Sequence, residues 1–213
     1  MAEVRALAVA FRARRDKLDI LVNNAGAVFQ SRQETAEGLE MTFALNHMSY
    51  FLLTHELLAP LTAARAARVV NVASMAHRQG HVDFDDLQSR RSYLHMRAYG
   101  TSKLMNILFT RALARRLSGT NVITNCLHPG FVDSSFGDNN SGLFKRLISM
   151  AKTFAITPEA GADTSVYLAA DAEAGGINGQ YFSRCKPANC SRAARDLATS
   201  ERLWDVTAAL AGI

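Results

Sequence analysis

Short apolar runs rich in β-branched residues alternate along this chain with longer stretches of helical periodicity, and nothing else in the sequence restricts the fold as strongly. The runs are LDILVNN (18–24), ARVVNVAS (67–74), NVITNCLHP (121–129) and INGQYFS (177–183). Strands of this kind separated by helix-length segments read as an α/β fold, a parallel sheet covered by helices. About four strands are expected.

The segments between them carry the helices. Residues 34–58, ETAEGLEMTFALNHMSYFLLTHELL, have apolar positions at helical spacing, with Gly38 near the start. Residues 98–117, AYGTSKLMNILFTRALARRL, form a second long helix that stops before a Ser-Gly-Thr turn. Residues 158–170 start with Pro158, suited to a first helical turn, after the potential cap Thr157. A last helix follows Ser191, a plausible cap, and the opening MAEVRALAVAFRARR is amphipathic. Residues 77–97 and 133–150 fit no regular element, as is common for lids and binding loops.

A length of 213 residues suits one domain covering 1–213. With 48% hydrophobic and 20% charged residues the composition is that of a folded globular chain. The formal net charge of +5 comes from scattered arginines without interleaved aromatics, so a small molecule, phosphate-bearing or not, is the expected partner and nucleic acid is not. Cys126, Cys185 and Cys190 are too few for a disulfide framework, which points to a reducing, cytoplasmic setting. No leader, membrane anchor or paired metal-ligand spacing is evident; no metal is expected.

In an open parallel sheet ligands bind beyond the carboxyl ends of the strands. The segments that fall there are NNAG (23–26), ASMAH (73–77) and HPGFVDS (128–134), each with small residues that let a backbone approach a ligand. Tyr99 and Lys103 stand four apart on the second long helix, hence on one face. A lysine ammonium near a phenol favours the phenolate, so Lys103 is expected to lower the Tyr99 pKa toward a value useful in proton transfer. Ser74, at the end of an adjacent strand, could hold the reacting oxygen. A hydrolase is the competing reading, because His77 follows Ser74 closely and Ser183 with Lys186 matches an S-x-x-K pattern, although no G-x-S-x-G elbow occurs.

Taken together, LDILVNNAG, RVVNVAS, AYGTSKLMNILFTRALARRL, HPGFV and the terminal GQYFSRC resemble the short-chain dehydrogenase/reductase superfamily, most of all its retinol-dehydrogenase-like group. The resemblance implies a Rossmann-like sheet, an NAD or NADP cofactor with NADP preferred, and oxidation or reduction of a lipophilic alcohol or carbonyl, retinoid-like compounds among them. It implies Tyr99 as the general acid/base and Lys103 as the group that lowers its pKa and binds the nicotinamide ribose. Ser74 would orient the substrate oxygen, and Asn46 would position a water in a relay through the lysine. Asn23, Ala25 and Gly26 would line the cofactor pocket and steady the sheet, while Pro129, Gly130 and Val132 would lie against the nicotinamide. Ser134 stands where many relatives carry threonine, and residues 133–157 would be a substrate lid with Phe136, Leu143, Phe144 and Phe154 as apolar lining. A homo-oligomer is a further implication.

One departure is large. Family members open with a strand, a T-G-x-x-x-G-x-G turn and a helix that holds the pyrophosphate, and that turn is absent from this sequence. The chain is therefore expected to be an N-terminally truncated version of the fold, with its first strand an exposed apolar edge. Two readings stay open: a shortened form of an active reductase, or a catalytically inactive remnant that binds or regulates.

Overall fold

The computed structural model describes residues 1–130, 132 and 156–213. Its sheet runs in the order of the sequence: β1 (Ile20–Asn23), β2 (Ala67–Val72), β3 (Val122–His128) and β4 (Tyr181–Ser183) are parallel neighbours. A fifth strand, β5 (Lys186–Pro187), returns antiparallel to β4. The four anticipated strands are present, and the fifth is a two-residue addition. Its hairpin turn puts Arg184 (φ 52°) and Cys185 (φ 58°) in left-handed backbone, the geometry of a tight two-residue connection without the usual glycine.

The helices are α1 (Ala2–Arg12), then α2, a continuous helix made of Met41–Phe43, a π turn over Ala44–Met48 and Ser49–Glu56. There follow α3 (Leu58–Ala63), α4 (His95–Arg116), α5 (Pro158–Ala170) and α6 (Leu197–Ala211). Two helix starts differ from expectation. Residues 34–40 do not enter α2: Gly38 takes a left-handed φ of 76° in a turn closed onto Thr35, and Glu34 bridges to Glu40. The Glu40 carboxylate then caps the helix by accepting from the amides of Thr42 (2.7 Å) and Phe43 (2.8 Å). Ser191 caps only a short 3₁₀ turn at Ala193–Arg195, and α6 begins later, where Asp196 accepts from the Thr199 amide at 2.7 Å. Thr157 caps α5 as anticipated, accepting from the Ala160 amide.

Alternate strand residues face opposite layers. Leu21, Ala67, Val69, Val122, Cys126 and Tyr181 join the core shared with α2 and α4, outside which α1 and α6 pack. Val70, Val72, Leu127 and Phe182 face Leu168 of α5. Helix α4 is buried nearly all round from Tyr99 to Leu113, so its polar residues must find partners inside the protein. β1 is the end strand of the described sheet, as expected from the sequence, and Ile20 and Val22, on its face toward α5, remain 42% exposed, with Val22 on the cavity wall.

Candidate active site

Tyr99 and Lys103 occupy successive turns of α4 and are both buried, at 8% and 3% exposure. The Lys103 ammonium donates to the carbonyl of Val72, the last residue of β2, at 3.0 Å. It also lies 5.6 Å from the ring centroid of Tyr50 and 5.7 Å from that of Tyr99, so two aromatic faces flank it. Burial lowers the Lys103 pKa from 10.5 to about 7.

Tyr99 departs from expectation. Its pKa is raised, because burial outweighs the hydrogen bond with the Ser74 side chain that acts the other way. The ammonium is aimed at the Val72 carbonyl, and the lost hydration of the phenolate decides the sign. Ser74 caps the 3₁₀ turn Met75–Gln79, and its hydroxyl accepts from the Ala76 amide at 3.2 Å.

Asn46 is fully buried in the π turn of α2. Its side chain reads the backbone of Ala27 in both directions, Oδ1 accepting from the amide (2.9 Å) and Nδ2 donating to the carbonyl (3.0 Å), and Nδ2 also reaches Ser102 Oγ. The Asn46 carbonyl accepts from Asn106 Nδ2 at 2.8 Å. Asn46 therefore stands behind the site and fixes the loop after β1. Asn23 is also structural: buried, it donates to Asn71 Oδ1 (2.8 Å) and Thr54 Oγ1 (3.0 Å) and steadies the sheet without reaching the cavity.

A cavity of about 750 Å³ opens at the carboxyl edge of the sheet. Ala25, Gly26, Ser74, Tyr99, Lys103, Pro129, Gly130 and Val132 all line it, which brings together eight of the ten anticipated site residues; Asn23 and Asn46 are the two left outside. Gly26 has a steric reason to be glycine, since an added Cβ would stand 3.2 Å from both Asn46 Oδ1 and Lys103 Nζ. Gly130 has φ 98°, and a side chain there would meet Ile156 at 2.8 Å. Small residues on both rims thus leave room for a flat, polar ring system beside Lys103, and the residues present fit the nicotinamide end of a dinucleotide.

Several contributors escaped the sequence reading. The Tyr50 ring flanks Lys103, and Asn106 holds the Asn46 carbonyl. Both were within reach of pattern reasoning, for Tyr50 lies four residues after Asn46 and Asn106 three after Lys103. The first turns of α5 supply Pro158, Gly161, Ala162 and Ser165 to the opposite wall. Ser134 and residues 133–155 of the anticipated lid, with Phe136, Leu143, Phe144 and Phe154, lie outside the described residues. The hydrolase reading finds no geometry: His77 Nδ1 meets the Ser74 carbonyl, not its hydroxyl, and Ser183 pairs with Lys186 in a hairpin.

A Rossmann-like sheet with tyrosine, lysine and serine gathered at its carboxyl edge defines the class of protein. A family profile described as short chain dehydrogenase matches residues 1–142, and the chain belongs to that family. It is 41% identical to human retinol dehydrogenase 14 over 216 residues, covering 100% of this chain and 64% of that protein. It is 44% identical to human retinol dehydrogenase 12 over 210 residues, covering 99% of this chain and 66% of the relative. The chain thus spans just under two thirds of the length of these relatives. Among solved structures, an uncharacterized protein from Mycobacterium paratuberculosis aligns over 99% of this chain and 72% of its own, with TM-score 0.77 and 29% identity. The NADPH-bound carbonyl reductase from chicken fatty liver shares the fold at TM-score 0.58 and 18% identity, over 85% of this chain and 68% of its own. Among the described residues no helix is long and apolar enough to cross a membrane.

Proposed function

We propose that this chain carries the proton-handling site of an NAD(P)-dependent oxidoreductase that interconverts an alcohol and a carbonyl on a lipophilic small molecule, with retinoid-like compounds the first to test. NADP is the preferred cofactor, a cytoplasmic setting and a homo-oligomer belong to the same proposal, and the names of the relatives support the substrate class. The observation that carries the reading is the burial of Tyr99 and Lys103 side by side on the wall of a cavity that Ser74 also lines.

Each residue has a role that follows from its surroundings. Ser74 orients the substrate oxygen. Tyr99, its pKa raised by burial, holds its proton at neutral pH and so suits donation to a carbonyl oxygen. Lys103 places an ammonium near the phenolate that is left and stabilises it. Gly26, Ala25, Pro129, Gly130 and Val132 shape the wall on which the nicotinamide and its ribose would rest. The nicotinamide, when bound, supplies or accepts the hydride.

The test is direct. NADPH and NADH are titrated into the purified chain while nicotinamide fluorescence is followed, and reduction of all-trans-retinal is then assayed by product chromatography. Tyr99→Phe should lower the rate by about 10²–10⁴-fold with the fluorescence titration nearly unchanged. Full activity in that variant would refute the proton role. The second reading, a binding or regulatory remnant, is favoured by the exposed Ile20 on the end strand β1; failure of both nucleotides to saturate the chain would select it.

A further inference from the structure

We propose that His77 is a positioning residue for Ser74: its neutral imidazole, fixed as the Nδ1–H tautomer, ties the Ser74 turn to the chain at Ser191 and so holds the Ser74 hydroxyl against Tyr99. The inference rests on the oxidoreductase reading for its catalytic consequence, and on geometry alone for the tie.

The tautomer follows from the partners. The Ser191 amide can only donate, and it points at His77 Nε2 from 3.1 Å. Nε2 must therefore carry the lone pair, which leaves the proton on Nδ1, and Nδ1 lies 2.6 Å from the Ser74 carbonyl, which can only accept. Both ring nitrogens are thus committed, and the ring is fully buried with its edge toward Tyr181, centroids 5.1 Å apart. A protonated imidazole would present N–H to the Ser191 N–H and break the tie.

The turn that His77 closes cannot adjust in other directions. Gly80 and Gly100 cross so closely that a Cβ on Gly80 would stand 2.5 Å from the Gly100 carbonyl oxygen, and one on Gly100 would stand 2.7 Å from that of Ala76. Gly100 follows Tyr99 directly, so residues 74–80 are pressed against α4 at the catalytic tyrosine. The glycine crossing sets the distance between turn and helix. The His77 bridge sets the rotation of the turn, and with it the direction of the Ser74 hydroxyl.

The titratable and charged groups that face the imidazole are Arg78 on its own turn, His128 at the end of β3 and Tyr181 on β4. Burial, then the Arg78 guanidinium, favour the neutral ring, while the Ser74 carbonyl acts in the opposite direction. Arg78 itself is held by the Asn189 carbonyl at 2.7 Å, so the same short segment of chain is fastened twice.

The experiment combines two readouts on the full chain. Nitrogen NMR of labelled histidine should show His77 as the neutral Nδ1–H tautomer at pH 7.5, with protection of the Ser191 amide lost as the ring titrates on acidification. A charged ring or the Nε2–H tautomer at that pH overturns the proposal. In the retinal assay, His77→Phe keeps the ring and should lower kcat about tenfold with KM within about twofold, and should remove the acid limb that His77 contributes to the pH profile. His77→Asn retains a donor for the Ser74 carbonyl and should recover part of the rate. Unchanged kcat and an unchanged acid limb in His77→Phe overturn the positioning role. If the wild-type chain turns nothing over at any pH, the oxidoreductase reading falls, and the tautomer and Ser191 protection still decide the tie.

Discussion

Two buried polar networks lie against the same face of the sheet, and they behave differently. The first runs across the strands: Asn23 donates to Asn71 and Thr54, and Asn71 donates to Thr110 at 3.0 Å and Thr124 at 3.4 Å. The second surrounds the cavity floor: Lys103 on the Val72 carbonyl, Tyr99 with Ser74, and Asn106 between the Asn46 carbonyl (2.8 Å) and His47 (3.3 Å). The first contains only amides and hydroxyls, each satisfied by a neutral partner. The second contains titrating groups, and burial moves each of them: Lys103 down to about 7, His47 down to about 4, and Tyr99 upward. Desolvation at equal depth is offset for an amide by its hydrogen bonds, whereas for an ionisable group it also shifts the protonation equilibrium. Perturbed titration therefore reports where an ionisable group has lost water, at Lys103 and Tyr99 on the cavity wall and equally at His47 behind it, and the cavity lining decides which of them belong to the site.

The contrast can be broken most sharply at Lys103. Lys103→Met should cut carbonyl reduction by about 10²–10³-fold while raising stability at pH 6 by about 2–4 kcal/mol, because a charged group no longer has to be buried. The depressed pKa makes that burden largest below pH 7 and absent above about 10.5, so the stability gain, read from urea midpoints, should shrink as pH rises. A loss of stability at pH 6 would contradict the assignment.

In the neutral network, Asn71→Ala should cost about 3 kcal/mol, from the lost bonds and the space left behind. That cost should be the same at pH 5 and pH 8, and a marked pH dependence would show that the two networks are coupled.

His47 provides an effect of similar size with a different signature. Its folded pKa of about 4 lies below the ordinary 6.5, so its contribution is complete above about pH 6.5 and is lost as pH falls through 4. That amounts to about 3 kcal/mol, visible in thermal melts between pH 7 and pH 4, and His47→Gln should flatten the slope. The smallest effect belongs to Gly26→Ala. A Cβ 3.2 Å from both Lys103 Nζ and Asn46 Oδ1 forces shifts of a few tenths of an ångström, so stability should change by less than about 1 kcal/mol while NADPH binding weakens measurably in the fluorescence titration.

Much of the fold can be read directly from the chain. The four parallel strands, α4 with its Tyr99 and Lys103, and the Thr157 cap all follow from local periodicity and capping chemistry, which tertiary packing leaves in place here. The start of α2 does not, because the apolar pattern continues through residues 34–40 while Gly38 takes a left-handed φ and Glu40 offers a better cap. Asp196 replaces Ser191 at α6 for the same kind of reason: two good caps compete, and the fold selects one. Asn23 and Asn46 belong to motifs that point to the cavity, yet strand register and the π turn direct both side chains into the interior.

Residue types and spacings along this chain are enough to establish an α/β sheet, the edge where its chemistry lies, and the tyrosine, lysine and serine that meet there. They leave open the direction of the Tyr99 shift, the partner of the Lys103 ammonium and the tautomer of His77. Those depend on how much water each group loses and which backbone atom faces it, quantities set by the packing of α4 against β2 and by the close crossing of Gly80 and Gly100. Spacing places side chains on a common face, whereas desolvation, which acts through every neighbouring atom, determines what state those side chains are in.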